Sequence, residues 1–103
     1  MTTTNNPYNN ERQPEDAERK KKAFIYAQLL ERVSDLAGVS VRDVSKDSDI
    51  IGDLNFDSLQ IYELVVDLEG DFDIRLSDDE LEKVNTVRDI VNLIYTLTQS
   101  KND

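Results

Sequence analysis

Cysteine, histidine and tryptophan are absent from this chain, and glycine and proline occur only three and two times. Without cysteine there is no disulfide, no thiolate nucleophile and no zinc finger. Without histidine, the usual general base near neutral pH is missing. These absences argue against catalysis and metal binding, so no catalytic or metal-ligating residue is predicted.

Positive charge is also scarce, because 12 Lys and Arg oppose 22 Asp and Glu and leave a formal net charge of −10. A chain this acidic repels phosphate backbones and anionic lipid surfaces, so no nucleic-acid partner is expected. No apolar run approaches the length of a membrane span, and the first residues do not have the pattern of a signal peptide. We therefore expect a cytoplasmic protein with no membrane insertion.

The 103 residues, 38% of them hydrophobic, are enough for one domain with one small core. Residues 1–13 are polar and predict a disordered N-terminal tail. The folded domain is expected over residues 14–98, followed by a flexible C-terminus at 99–103. A monomer is expected.

Helical spacing dominates the domain. Four helices are predicted, three long and one short, which makes the fold class all-α and the architecture a four-helix bundle. The first begins near Pro14 and ends at Gly38. The others cover Ser58 to Asp71, Asp78 to Val84, and a last helix from Val87 onward. The residues expected to face inward are Ile25, Leu29, Val33, Leu36, Leu64, Leu68, Phe72, Val87, Ile90, Val91, Ile94 and Leu97.

Three short polar patterns mark helix starts. Asp57 with Gln60 and Ser77 with Glu80 have the spacing of a capping box, in which two side chains bond reciprocally to backbone N–H groups, and Thr86 with Asp89 resembles a third. Residues 39–56 show no period, yet a loop this long in a compact domain must pack its own apolar residues. The candidates are Val41, Val44, Ile50, Ile51 and Leu54.

A family resemblance lies in the middle of the chain. Residues 52–64, with Asp57-Ser58-Leu59 at their centre, resemble the phosphopantetheine-attachment motif of the acyl carrier protein family. Residues 68–74, 76–80 and 84–89 resemble later blocks of the same family in the same order. Asp-Ser-Leu alone occurs by chance, but the ordered set spans about residues 24–97 and makes the match specific.

The resemblance implies an acyl-carrier-like bundle in which Ser58, flanked by Asp57 and Leu59, carries 4′-phosphopantetheine. In the family a separate phosphopantetheinyl transferase attaches this arm from coenzyme A. The residues agree with that chemistry, because a helix start favours a nearby phosphodiester. With no histidine to activate it, Ser58 is not expected to act as a catalytic nucleophile. The simpler alternative is that Ser58 is only a helix-cap serine.

The second helix also carries a predicted recognition face. Leu59, Tyr62 and Val66 recur at spacings of three and four residues on a stripe rotated away from the core. The resemblance implies that basic patches on synthases, reductases, dehydratases and acyltransferases read this stripe and nearby acids. The acids around the stripe are Glu63, Asp67, Glu69 and Asp71. Alternatively, these charges only keep the helix surface solvated. For Glu69 and Asp71 this alternative explains the residues nearly as well as a recognition role does.

A carrier must also shelter its acyl chain, and the bundle has aliphatic residues for the lining. The candidates for an acyl pocket are Phe56, Ile61, Leu68, Ile74, Leu76, Val84 and Ile90, although ordinary core packing also accounts for each of them. The predicted function is an acyl carrier for fatty acid biosynthesis. The alternatives are a specialised carrier for a polyketide, lipid-modifying or aminoacyl pathway, and an unmodified acidic interaction module.

Two positions depart from common family residues. Asn55 stands where many relatives have glycine, and because asparagine tolerates positive φ, the turn is expected to survive. Gln60 stands where an acid is frequent, which lowers the negative charge beside Ser58. Such a change suits either weaker recognition by some partners or a carrier used outside the main fatty-acid pathway.

Overall fold

The computed structural model describes residues 14–102, which form an all-α bundle with no strand among them. Its helices are α1 (Pro14–Ala37), α2 (Ser58–Phe72), the short α3 (Asp78–Glu82) and α4 (Val87–Asn102). The all-α prediction with three main helices and one short helix is confirmed. The predicted tail at 1–13 lies outside the described residues.

Two helix ends differ from their predicted positions. α3 ends at Glu82 rather than Val84, because a five-residue helix closes with the N–H of Lys83 bonded to the carbonyls of Glu80 and Leu81. α4 continues to Asn102, past the predicted domain end at residue 98. Residues 99–102 are therefore helical, and the flexibility of the C-terminus stays a prediction.

α1 ends where the sequence predicts. Gly38 has a φ of 72°, in the left-handed region that glycine enters without a steric penalty. Its N–H and that of Val39 both donate to the carbonyl of Ser34, at 2.9 and 3.1 Å. This closure turns the chain sharply away from the helix, and the loop that follows returns to the bundle.

The core lies where α1 packs against α2 and α4. The predicted periodicity places the right residues inside, although Leu36, Phe72 and Leu97 are half-buried at the margin. Buried apolar side chains come from all three long helices and from the connecting loops. They are Ile25, Leu29, Val33, Val44, Ile50, Phe56, Leu64, Leu68, Ile74, Leu76, Val87, Ile90, Val91 and Ile94.

The long loop before α2 is ordered by contacts with the start of α4. Three backbone hydrogen bonds of 2.8–3.1 Å join the two segments. The N–H of Ile50 donates to the carbonyl of Asn85, that of Val87 to the carbonyl of Ser48, and that of Arg88 to the carbonyl of Lys46. These bonds satisfy loop groups that have no helical partner. The loop therefore has a defined shape up to the start of α2.

Packing within this loop was predicted only in part. Val44 and Ile50 are buried and Leu54 is half-buried, as expected. The prediction is wrong for Val41 and Ile51, whose side chains are 44% and 64% exposed. Val41 lies in a short 3-10 helix, Val41–Asp43, that contributes no buried residue. Ile51 lies in the next turn, beside the buried Ile50, and is largely exposed.

We expect Leu29→Ala to lower the free energy of unfolding by about 2–5 kcal/mol, because Leu29 is completely buried and its truncation leaves a cavity. Phe24→Ala is a matched control on the same helix, since Phe24 is 63% exposed. Urea denaturation should show a change within about 0.5 kcal/mol for the control. If both variants lowered the free energy of unfolding equally, Leu29 would not lie on the core-facing side of α1 as described.

Candidate functional site

The start of α2 is a complete capping box. Asp57 has extended backbone angles, and its carboxylate accepts the N–H of Gln60 at 2.9 Å. In return the Gln60 side-chain oxygen accepts the N–H of Asp57 at 3.0 Å. Two N–H groups that the helix leaves unpaired are thereby satisfied. The predicted box is confirmed, and Ser58 is the first residue of the helix it closes.

Gln60 also joins this helix start to α1. Its side-chain amide donates to the Leu36 carbonyl at 2.9 Å, across 24 residues of sequence. Leu36 lies in the last turn of α1, where carbonyls have no intrahelical partner. One neutral side chain therefore satisfies groups at two helix ends and fixes the turn that presents Ser58.

The turn before Ser58 is also held by a residue that packs into the core. Asn55 has a φ of 59°, so the prediction that asparagine supports the left-handed turn is confirmed. Phe56, only 3% exposed, fills the core directly after it, and its N–H donates to the Ile50 carbonyl at 3.1 Å. Ser58 follows this anchor and is exposed.

The predicted outward stripe of α2 is exposed in the structure. Leu59, Tyr62 and Val66 expose 67%, 66% and 47% of their surface, large fractions for apolar side chains. Glu63 is exposed beside them and makes no ion pair or side-chain hydrogen bond within residues 14–102. An exposed cluster of this kind is typical of a contact surface.

Most acids predicted around the stripe are engaged within the chain instead. Arg32 of α1 binds the Asp71 carboxylate through two hydrogen bonds of 2.7 and 2.8 Å, and it lies 3.6 Å from a carboxylate oxygen of Asp67. The hydrogen bonds from Arg32, together with its positive charge, lower the pKa of Asp71. The same hydrogen bonds, together with the negative charge of Asp71, raise the pKa of Arg32. The role of Asp67 in partner recognition stays a prediction, and within the chain its carboxylate is paired with Arg32.

Glu69 has an internal role as well. Its carboxylate accepts the N–H of Leu76 at 2.9 Å, and its carbonyl accepts the N–H groups of Asp73 and Ile74. Asp73 has a φ of 55° and caps the helix in the left-handed region. For Glu69 and Asp71 the structure therefore favours an internal role over a free recognition contact.

A cavity of about 120 Å³ opens between α2, α3 and α4. Five of the residues predicted for the acyl pocket line it, namely Ile61, Leu68, Leu76, Val84 and Ile90. Phe56 and Ile74 do not line it. They are buried in the core instead, and each directly follows a residue with a left-handed φ.

Several lining residues were not predicted. Leu64, Val65, Leu81 and Leu93 come from the helices, and Asp49, Ile50, Ile51 and Asn85 come from the loops. Helical spacing marks most of the first group as inward-facing, which was a usable signal. The loop residues carry no periodic signal. Arg32 was also missed, because no local pattern pairs a residue of α1 with residues of α2.

The cap of α4 includes Asn85, a residue that lines the cavity. The Asp89 carboxylate accepts the N–H groups of Asn85 and Thr86 at 2.9 and 3.1 Å, and the Thr86 hydroxyl accepts the N–H of Asp89. Hydrogen bonds from the backbone of Asn85, then of Thr86, lower the pKa of Asp89. The third predicted box is confirmed, and it holds Asn85 at the cavity wall.

Comparison with known proteins places this geometry in a family. The phosphopantetheine attachment site family matches residues 27–94. An acyl carrier protein of Clostridium acetobutylicum is 37% identical over 76 residues, which cover 74% of this chain and 99% of the relative. One of Thermotoga maritima is 37% identical over 70 residues, covering 68% and 86%. A crystal structure of an acyl carrier protein from Thermotoga maritima matches the fold with a TM-score of 0.66 at 24% identity, covering 81% and 95%.

A matched domain of this kind accepts a prosthetic arm, so the class of protein is a carrier and not an enzyme. The chain belongs to the acyl carrier protein family. The family's prosthetic group is a covalently attached 4′-phosphopantetheine. The residues here fit that group, because the exposed Ser58 hydroxyl makes no hydrogen bond with the described part of the chain and lies at a helix N-terminus.

We expect Asp89→Asn to lower the free energy of unfolding by about 1 kcal/mol at neutral pH, because the charged group accepting two cap bonds is lost. A lowered folded-state pKa stabilises the protein above the unfolded-state pKa, and this stabilisation is lost as the pH falls through the folded value. The difference in the free energy of unfolding between Asp89→Asn and wild type should therefore become smaller near about pH 3. Urea denaturation at both pH values measures it.

The exposed Asp79 provides the control for this experiment. Asp79→Asn removes the same charge without removing a hydrogen bond of the α4 cap, and we expect little change in stability at either pH. A stability deficit of Asp89→Asn that is constant from neutral pH to about pH 3 would contradict the role of the ionised carboxylate.

Proposed function

We propose that this chain carries acyl groups as thioesters on 4′-phosphopantetheine attached to Ser58 and shuttles them between cytoplasmic enzymes of fatty acid biosynthesis. The observation that carries the proposal is the position of Ser58, exposed at a capped helix start in the matched domain. The arm would supply the thiol that holds the acyl group. Residues 14–98 are proposed as the carrier domain.

Attachment requires a partner enzyme. The neighbouring carboxylate of Asp57 accepts the N–H of Gln60 in the helix cap, and the sequence has no histidine. A phosphopantetheinyl transferase would form the bond between the serine oxygen and the phosphorus of coenzyme A that bears the pantetheine. The P–O bond that joins this phosphorus to the adenosine-bearing phosphate would break, so adenosine 3′,5′-bisphosphate would leave. The serine proton would pass to a base of the transferase. This chain contributes the position and access of the hydroxyl.

The same helix is proposed to guide the later partners. Synthases, reductases, dehydratases and acyltransferases would dock on α2 beside Ser58, contacting Leu59, Tyr62 and Val66. Glu63 would steer cationic groups toward the helix. The exposure of these four residues and their place directly after the attachment serine support this role.

The cavity between α2, α3 and α4 is proposed as the shelter for the acyl chain. Its walls are mainly aliphatic, and at about 120 Å³ it holds only part of a chain before its walls move. Ile61 and Leu64 project into it from α2, the helix that begins at Ser58. The tether and the cavity therefore share one helix, which keeps an attached chain within reach.

A second candidate is a carrier of the same family for a polyketide, lipid-modifying or aminoacyl pathway. One observation favours it. Gln60 replaces a frequently acidic residue and is committed to a bond with Leu36 rather than to a partner. The acyl group found on protein recovered from cells would separate the two pathways.

We expect the wild-type protein to gain the mass of one phosphopantetheine arm when it is incubated with coenzyme A and a broad-specificity phosphopantetheinyl transferase. Ser58→Ala should gain none, because the acceptor oxygen is gone. Ser77→Ala is a matched control, since Ser77 is an exposed serine that caps α3. Intact-mass spectrometry measures all three, and a wild-type protein without mass gain falsifies the carrier assignment.

With a medium-length acyl chain attached, we expect the methyl NMR signals of Ile90 to shift more than those of Ile74. Both isoleucines are buried, but only Ile90 lines the cavity. The comparison uses the unacylated arm-bearing protein as the reference. Equal shifts at both residues, or none at Ile90, would rule out this cavity as the shelter.

A further inference from the structure

We propose that a second cavity, between α1, the loop before α2 and α4, binds a small dissolved phosphate dianion, either free or as a phosphate monoester. Its volume is about 190 Å³, and four of the residues that line it are cationic. It lies about 20 Å along α1 from Leu36, the residue bonded to the start of α2, and is therefore separate from Ser58. The lining residues are Arg19, Lys22, Ala23, Lys46, Arg88, Val91 and Asn92.

The four cations come from three segments that are distant in sequence. Arg19 and Lys22 belong to a run of four cations on α1, which alone is typical of a solvated helix face. Lys46 belongs to the loop before α2, and Arg88 to the first turn of α4. Four of the chain's 12 Lys and Arg therefore meet at one cavity, although the chain as a whole is strongly acidic.

Tertiary contacts place these cations. The N–H of Arg88 donates to the Lys46 carbonyl at 2.8 Å, so the loop and α4 are joined at the cavity. The Nζ atom of Lys46 lies 5.3 Å from the centre of the Tyr26 ring of α1. That of Lys22 lies 5.1 Å from the centre of the Tyr95 ring of α4. Both are cation–π contacts, which favour these positions of the ammonium groups.

Nearby acids offset this positive charge only in part. None of the described residues that line the cavity is acidic, and Lys46 makes no ion pair within residues 14–102. The other three cations each pair with one acid outside the cavity. The pairs are Arg19 with Asp16, Lys22 with Glu18, and Arg88 with Asp47. Each pair occupies one nitrogen, so a guanidinium group keeps most of its five N–H donors for a ligand.

A phosphate matches the groups that line the cavity. Arg binds phosphate oxygens through two parallel N–H groups, and Lys contributes a compact positive charge. A dianion also relieves the mutual repulsion of like charges that converge on one space. Asn92 lines the same cavity and adds a neutral amide donor.

The charge of the whole molecule favours a small ligand over a large polyanion. A phosphate inside the cavity interacts mainly with groups within a Debye length, which is about 8 Å at physiological ionic strength. An anionic lipid surface or a nucleic acid would instead face the net charge of −10 over a wide area and be repelled. The local cluster of cations therefore suits a dissolved phosphate.

The test titrates the full chain with inorganic phosphate near neutral pH, with sodium chloride keeping the ionic strength constant. The backbone amide NMR signals of Ala23 and Asn92 report on the cavity, and that of Leu59, at the start of α2, is the distant reference. We expect saturable shifts at Ala23 and Asn92 with a midpoint of about 1–10 mM, and none at Leu59. The affinity is modest because each exposed charge contributes little.

Lys46→Gln removes the cation that has no ion pair, and we expect it to raise the phosphate midpoint about threefold. Lys83→Gln is the matched control, because Lys83 is exposed, carries the same charge and does not line the cavity. It should change the midpoint by less than about 1.5-fold. Circular dichroism establishes that both variants are folded.

Arg88→Lys keeps the charge but removes the two-pronged donor, so it should raise the midpoint about twofold. If this variant does not fold, the comparison of Lys46→Gln with Lys83→Gln remains decisive. Equal midpoints for those two variants would overturn the inference. Shifts that sodium chloride alone reproduces at the same ionic strength would also overturn it.

Vesicles distinguish a dissolved phosphate from a lipid headgroup. We expect the protein to stay in the supernatant when phosphatidic acid vesicles are sedimented, as it should with phosphatidylcholine vesicles. Protein that sediments with phosphatidic acid, and no longer does so as Lys46→Gln, would overturn the assignment to a dissolved phosphate. The mass gain at Ser58 is measured independently, so none of these outcomes changes the proposed function.

Discussion

The side-chain amide of Gln60 links the two helix ends that the rest of the site depends on. Its oxygen completes the cap with Asp57, and its nitrogen donates to the Leu36 carbonyl at the end of α1. Each bond satisfies a backbone group that a helix end leaves unpaired. Ser58 is presented where it is because this one side chain joins the two ends, and Phe56 anchors the turn from within the core.

Several carboxylates of this acidic chain serve as internal hydrogen-bond acceptors. Asp49 accepts the N–H groups of Ile51 and Gly52, and Glu80 accepts the N–H of Ser77. A charged acceptor on a backbone N–H is stronger than a neutral one and holds a turn without needing apolar surface. A net charge of −10 therefore overstates how many acids face partners, and α2 is the clearest case.

Much of the fold and of the site could be predicted because the controlling signals are local. Capping boxes place both partners within three residues, so the starts of α2, α3 and α4 were readable. Helical spacing separated the outward Leu59 from the inward Leu64. The family resemblance supplied the role of Ser58, which spacing alone does not indicate.

The remaining features depend on contacts between distant segments. The pairing of Arg32 with Asp67 and Asp71 joins two helices, and no local pattern encodes it. Ile51 was expected inside because it is apolar, but a loop without a period carries no signal for which neighbour faces the core. Phe56 was assigned to the acyl pocket from the family resemblance and its apolar side chain, but it is buried in the core and does not line the cavity.

We propose that Ser58 is a tether that another enzyme loads, presented at a capped helix start. Peptide mapping by mass spectrometry, on protein isolated from cells that also express a phosphopantetheinyl transferase, tests it most directly. We expect the fragment containing Ser58 to carry the arm and fragments with other serines to lack it. An unmodified Ser58 fragment, or an arm on another residue, would contradict it.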